Sequence, residues 1–233
     1  MDELPPFPGF RDEAFQFLRD LKANNEREWF KARKQTFDDE LIWPLRCLVA
    51  DLARAAPGAG LPLRGDPTKA VFRIYRDVRF SANKEPYKTH LGAVLSRSGS
   101  KKEPGGLYLH IEPDNCFLVA GFWQPDKDFL RAIRDRIAED PDGFRAIMSD
   151  LDGSELLEYG GKLKRLPRGY EQVEDEEIGD YLKHKSFMVQ RSFDERELSS
   201  TDFTASAVSA AAQLRSLLNW GWNVQDQAAT QTD

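Results

Sequence analysis

The chain has few of the residues from which metal and redox sites are built. Two cysteines, Cys47 and Cys116, and three histidines, His90, His110 and His184, are spread over 233 residues. Cysteines so few and so far apart exclude a disulfide scaffold and a cysteine-based zinc site. There is no H-E-x-x-H pattern, no Walker A loop and no G-x-G-x-x-G turn, so zinc-protease, ATP-type and dinucleotide sites are not indicated. No apolar run approaches the roughly 20 residues that a bilayer span requires. The opening Met1-Asp2-Glu3-Leu4-Pro5-Pro6 is acidic and proline-rich where a secretory signal is basic and then apolar. These absences lead us to expect a cytoplasmic protein with no membrane partner.

The aromatic content is ample for a core: fifteen Phe, six Tyr and five Trp. We expect a single domain over 1–233, ordered over about 7–222, with a flexible tail at 223–233, because nothing larger than Ala among apolar residues follows Gln225. Charge is unevenly placed. Arg64–Glu103 holds ten basic and four acidic residues, a local +6 on a chain whose net charge is −6. The opposite extreme is Glu171–Asp180, with six acids and no base. Overall acidity argues against a DNA-coating protein, whose affinity rests on many phosphate contacts. A basic stretch on an acidic chain suits capture of a small anion or an internal ion-pair network.

Periodicity outlines the elements. Asp12 followed by Phe15, Leu18 and Leu21 predicts a short amphipathic helix, interrupted at Asn24-Asn25. A longer helical pattern runs from Glu26 to Leu52, with a kink or break expected at Pro44. Residues 71–80 alternate with period two and predict a half-buried strand in which only Arg76 is out of phase. His90–Leu95 predicts another strand. Leu107–Glu112 and Cys116–Trp123, separated by Pro113-Asp114-Asn115, predict a hairpin. Helices are expected from Pro125, over Phe144–Leu157 and after Thr201-Asp202, and a last strand over Phe187–Phe193. The class is α+β: a mainly antiparallel sheet with a central hairpin, packed by N-terminal and C-terminal helices.

Several stretches together resemble one family. They are Asn24-Asn25-Glu26-Arg27-Glu28-Trp29-Phe30; Arg73 through Lys88; Leu107-Tyr108-Leu109-His110 with the following Gly121; and Leu163-Lys164-Arg165-Leu166-Pro167-Arg168-Gly169-Tyr170. In this order, over roughly Phe7 to Asn219, they are similar to a widespread, mostly bacterial family, domain of unknown function 2461. Asn83 stands where that pattern leads us to expect an acid. The resemblance implies one domain and supplies no activity, cofactor or catalytic residue.

The chemistry must come from the side chains. Arg73, Arg76, Arg79, Lys84 and Lys88 lie within sixteen residues, and arginine forks with lysine point charges suit phosphate or carboxylate. We take these five, with the Asn25 amide, as candidate substrate-binding groups. Asp77, Tyr87 and His110 are the candidates for orienting the ligand or exchanging protons, in a hydrolysis or transfer step. Tyr108, His110 and Glu112 would share one strand face, but nothing local adds the further ligands a metal needs, so no metal is assigned. Two S-x-x-K matches, at Ser81 and Ser98, have no Lys-Thr-Gly partner and carry no weight as a hydrolase signature. An alternative reading is a nucleic-acid or protein-binding module using the basic strand and the Lys101-Lys102 loop, and a purely structural reading pairs the basic stretch with Glu171–Asp180. No cofactor and no oligomeric state follow from these residues.

Overall fold

The computed structural model describes residues 4–151 and 153–230, so the first residues of the acidic opening and the last three of the expected tail lie outside it. Helix α1 (Asp12–Ala23) carries Asp12 and Glu13 in its first turn and buries Phe15, Phe17, Leu18 and Leu21. The expected long second helix is a series of pieces. Helix α2 (Arg27–Ala32) and α3 (Lys34–Phe37) are separated by Arg33, whose φ of −117° and ψ of 13° leave the helical region. A π-helical turn over Asp38–Ile42 then leads into α4 (Trp43–Ala55). The regular winding breaks just before Pro44: the backbone stays helical through Ile42 and Trp43, but by way of a π-helical turn, and Pro44, which has no N–H to give back to that turn, follows it one residue on.

Strands β1 (Leu91–Ser96), β2 (Gly105–Ile111), β3 (Cys116–Phe122) and β4 (Phe187–Phe193) form an antiparallel sheet in the order β1-β2-β3-β4, and with the surrounding helices make the fold α+β. The expected hairpin is β2–β3. Its turn is closed by Asn115 N–H donating to Glu112 O at 3.0 Å, with Asp114 at φ 62°.

Helix α5 (Lys127–Glu139) starts two residues later than Pro125, because the Asp126 carboxylate accepts from the N–H groups of Asp128 and Phe129 at 3.1 and 2.9 Å. Helix α6 (Pro141–Ser149) lies earlier and ends sooner than the helix expected over 144–157. The acidic block holds a helix that hydrophobic period did not reveal, α7 (Glu176–Leu182), capped by Asp175 and carrying Glu176 and Glu177 in its first turn, where acids complement the helix dipole. Helix α8 (Glu195–Ser199) begins with a reciprocal capping box between Asp194 and Glu197. The single closing helix expected after Thr201 is two, α9 (Phe203–Gln213) and α10 (Arg215–Thr230), and α10 continues through most of the expected tail, with Trp222 and Val224 buried.

The chain divides into two compact units. One comprises Met1–Glu103, Leu107–Leu118 and Arg191–Ala210, the other Pro104–Gly106, Val119–Gln190 and Ala211–Asp233. In the first, Phe17, Phe30 and Phe37 form an aromatic cluster, and a second one joins Phe7, Phe10 and Phe203. Leu91, Ala93, Leu95, Leu107, Leu109 and Ile111 supply the buried face of β1 and β2. The second unit packs α10 on α5 and α6 around Phe122, Phe129, Phe144 and Leu218. Gly105 and Gly221 make room for the Phe122 ring, which any Cβ at either place would strike at 2.3 or 2.2 Å.

Residues 71–80 are not a strand of the sheet. They are an extended segment held at isolated points: Val71 bridges Ala93 and Tyr75 bridges Tyr87. The alternation is nevertheless physical. Arg73, Tyr75, Asp77 and Arg79 are exposed, while Phe72, Ile74, Arg76 and Val78 are partly or fully covered. The pattern ends at Phe80, which is 95% exposed because the chain there has left its pairing partners for the loop 77–85.

Candidate functional site

The basic segment folds back on itself in the first unit. Arg76 N–H donates to Pro86 O at 2.9 Å and Lys88 N–H to Ile74 O at 2.8 Å, closing the loop 77–85. The join is clamped from outside. Asn25 Nδ2 donates to Tyr87 O and Asn25 Oδ1 accepts from Tyr87 N–H, both at 3.1 Å. Tyr87 is buried, stacked on Phe30 at 4.2 Å, and burial pushes its hydroxyl pKa upward. Asn25 thus holds backbone, and Tyr87 anchors the join from within the aromatic cluster.

The predicted anion-binding residues fall into separate settings. Within the loop, Arg79 donates twice to Asp77, at 2.9 and 2.7 Å, and the guanidinium holds the Asp77 carboxyl below its usual range. Lys84 Nζ donates to Val78 O at 3.0 Å, and Arg76 pairs with Glu85 at 3.2 Å. These groups organise the loop itself. The block Glu171–Asp180 has partners of its own within the second unit: Asp175 and Glu177 hold Arg145, and Asp180 holds Lys162 at 2.7 Å.

Lys88 and Arg73 are different. The Lys88 ammonium, half-buried, lies 5.4 Å from the centre of the Phe72 ring, and Lys101 Nζ lies 5.0 Å from the same ring. Burial, reinforced by the charges of Arg73 and Lys101, pushes the Lys88 pKa down. Among the described residues no carboxylate stands within ion-pair distance of Lys88 or Arg73. A partly desolvated cation beside two others is unfavourable unless an anion balances it.

Next to this cluster the solvent-side face of the sheet carries its polar groups. Tyr108, His110 and Glu112 follow one another along β2 and just beyond it, on the face opposite Leu107, Leu109 and Ile111. Tyr108 Oη lies 2.9 Å from His110 Nδ1, and His110 Nε2 lies 3.5 Å from Glu112 Oε2, a long contact. The tautomer that satisfies both has Tyr108 donating to Nδ1 and Nε2–H donating to the carboxylate. His110 lies flat on Phe117, with centroids 4.4 Å apart and planes 4° apart, and the ring of His90 lies 4.4 Å from it on the side of β1. Gly92 on β1 leaves the space that Tyr108 occupies: a Cβ there would stand 2.8 Å from the hydroxyl oxygen.

Protonation follows from burial. His90 is pushed down to about 4, first by burial and then by His110 and Lys88. Burial lowers His110 too, against the upward pull of Glu112. Both imidazoles are therefore neutral near pH 7. Burial alone would raise Glu112, but hydrogen bonds from Asn115, Thr89 and His110 hold it below its usual value, so it is a carboxylate. The result is an ordered chain, Tyr108–His110–Glu112, beside the uncompensated cations. The three β2-side groups could be placed on one face from their spacing. His90 and Phe72 carry no signal of this role in the sequence, and Lys101 enters there only with the nucleic-acid or protein-binding alternative, because only the pairing of distant segments brings the three together.

Among the described residues no group of three or more His, Cys, Asp or Glu is placed to hold a metal ion. Both cysteines are buried, and burial raises the Cys116 thiol to about 11, far from a reactive thiolate. Among the described residues no helix is long and apolar enough to cross a membrane. No curated protein and no solved structure matches the chain. A family match covers residues 13–220, which includes the Asn25 clamp, the basic loop and the Tyr108–His110–Glu112 face: the chain belongs to the family of conserved hypothetical proteins DUF2461.

Proposed function

We propose that the solvent-side face of β1 and β2 binds a small phosphate- or carboxylate-bearing ligand and exchanges a proton with it through Tyr108. The observation that carries this reading is Lys88: a half-buried ammonium, with Arg73 and Lys101 near it and no carboxylate paired to it among the described residues. Arg73 would hold the ligand from the solvent side through its two-pronged donor geometry, and Lys101, whose Nζ donates to Val71 O at 3.0 Å, would add its charge. As a proton leaves the ligand for the Tyr108 oxygen, the Tyr108 hydroxyl proton passes to His110 Nδ1, and the Glu112 carboxylate stabilises the imidazolium that forms; the reverse sequence gives the proton back. Hydrolysis or group transfer at the anionic group are the reactions this arrangement suits. Asp77, Arg79 and Lys84, paired within their loop, act on this reading as its framework and not as ligand groups.

Thermal-shift titration of the intact protein with inorganic phosphate and with small carboxylates tests it, since a ligand that binds only the folded state raises Tm. We expect a rise that Lys88→Met abolishes and that ionic strength weakens only gently. The nucleic-acid reading gives the opposite salt signature, a steep fall in affinity as several counterions are released. No shift with any anion, or a shift indifferent to Lys88→Met, rejects the proposal.

A further inference from the structure

The first unit contains a second concavity that the sheet-face reading does not use. It lies between the start of α2–α3 and the Tyr75–Val78 and Pro86–Tyr87 segments, and encloses about 470 Å³. That size is within the range of small-molecule sites. Phe30 and Tyr87, stacked on each other, form an apolar floor, and Tyr75, 51% exposed, stands 5.4 Å from Tyr87 and 6.4 Å from Phe30. A large aromatic ring left half in water offers a stacking face that the protein's own packing does not use.

The rim is cationic. Arg27, Lys31, Lys34 and Arg76 line it against one acid, Glu28. Lys34 is paired with Asp38 and Arg76 with Glu85. Arg27 and Lys31 have no ion pair among the described residues, and the charge of Arg27 reaches the Tyr87 hydroxyl, whose pKa it pulls down against the dominant effect of burial. An apolar ring wall with two uncommitted cations at its edge has one complementary ligand chemistry: a planar aromatic ring bearing an anionic group.

We infer that this cleft binds a mononucleotide-sized aromatic anion, its ring against Tyr75 and its anionic group at Arg27 and Lys31. The site is distinct from the Lys88 cluster and does not depend on that cluster binding anything.

Calorimetric titration of the intact protein with AMP, adenosine and inorganic phosphate, with amide chemical shifts to locate binding, decides the matter. AMP is expected to bind at least tenfold more tightly than adenosine or phosphate and to shift the amides of Arg27, Lys31 and Tyr75. Tyr75→Ala should weaken AMP roughly 5- to 100-fold, the loss of one stacked ring, while Tyr75→Phe retains binding. Arg27→Gln should bring AMP down toward adenosine. Lys88→Met, which silences the sheet-face site, should leave AMP binding in the cleft unchanged. The inference is overturned if, as read from the cleft amides, AMP binds there no better than phosphate or adenosine, if Tyr75→Ala retains wild-type affinity, or if AMP shifts amides around Lys88 and not those of the cleft.

Discussion

The side-chain amide of Asn25 takes the place of a neighbouring strand for Tyr87, giving and receiving one hydrogen bond across 62 residues of sequence. Both bonds are partly buried, and each is worth about 1 kcal/mol net. Asn25→Ala should therefore cost about 2–3 kcal/mol in urea denaturation. Asn25→Asp keeps the acceptor but turns a carboxylate toward Tyr87 O, so it should recover little of that loss. A cost below 0.5 kcal/mol for Asn25→Ala would mean that the clamp contributes nothing to the join.

Lys88→Met should separate stability from binding. Without ligand the variant loses a partly buried charge that is pushed by Arg73 and Lys101, so its Tm should be equal to the parent's or higher by roughly 1–4 °C. The rise of Tm with phosphate should disappear at the same time. A marked drop in unliganded Tm would show that the ammonium has a structural partner.

Acid should destabilise the fold in a defined window. His90 and His184 titrate near 4 when folded and near 6.5 when unfolded, so between those values the unfolded chain holds protons that the folded one lacks. Stability is full above about pH 6.5 and falls as the pH drops toward 4, with a slope of up to about 1.4 kcal/mol per pH unit for each histidine. His110 is lowered as well, so His90→Gln should remove about a third to a half of the histidine-dependent slope, as read from urea midpoints at successive pH values. An unchanged slope would place His90 in water.

Gly92→Ala should act on Tyr108. The added Cβ would meet the hydroxyl oxygen at 2.8 Å and a ring carbon at 2.9 Å, so the ring must shift and its 2.9 Å contact with His110 Nδ1 is disturbed. Overpacking of this kind costs about 1–3 kcal/mol. The cost should vanish in a Tyr108→Ala background, a non-additivity that a double-mutant cycle measures, and the His110 ring resonances should move in the single variant.

The parts of the fold that follow from local chemistry were readable from the letters. The β2–β3 hairpin announces itself through alternation on both sides of Pro113-Asp114-Asn115, and β4 through its own apolar run. What was not readable depends on partners remote in sequence. Residues 71–80 alternate as a strand does, but β1 engages them only as far as Phe72, after which the chain pairs with its own residues 86–88. Helix α7 has a single apolar repeat, Ile178 to Leu182, too short to stand out among its acids, and its start is marked instead by Asp175 and dipole-compatible Glu176 and Glu177. At the site, the face shared by Tyr108, His110 and Glu112 follows from β-strand geometry, whereas His90 joins it only through the pairing of β1 with β2. A run of cations likewise cannot reveal from composition which members are spent on carboxylates. Arg79 is engaged by Asp77 two positions away, while Lys88 must be followed into three dimensions.

The π-helical turn over Asp38–Ile42 works as a phase adjuster. It takes up one more residue than an ordinary helical turn, so it sets the rotational offset between Phe37 before it and Leu45, Leu48 and Leu52 after it, all of which reach the interior. Regular α-helical winding of the same residues would carry one apolar stripe about 100° past the other. The buried wall beneath the Phe30–Tyr87 stack thus depends on how that turn is wound, and its relaxation to ordinary helix would be felt in the cleft without any of its lining side chains being altered.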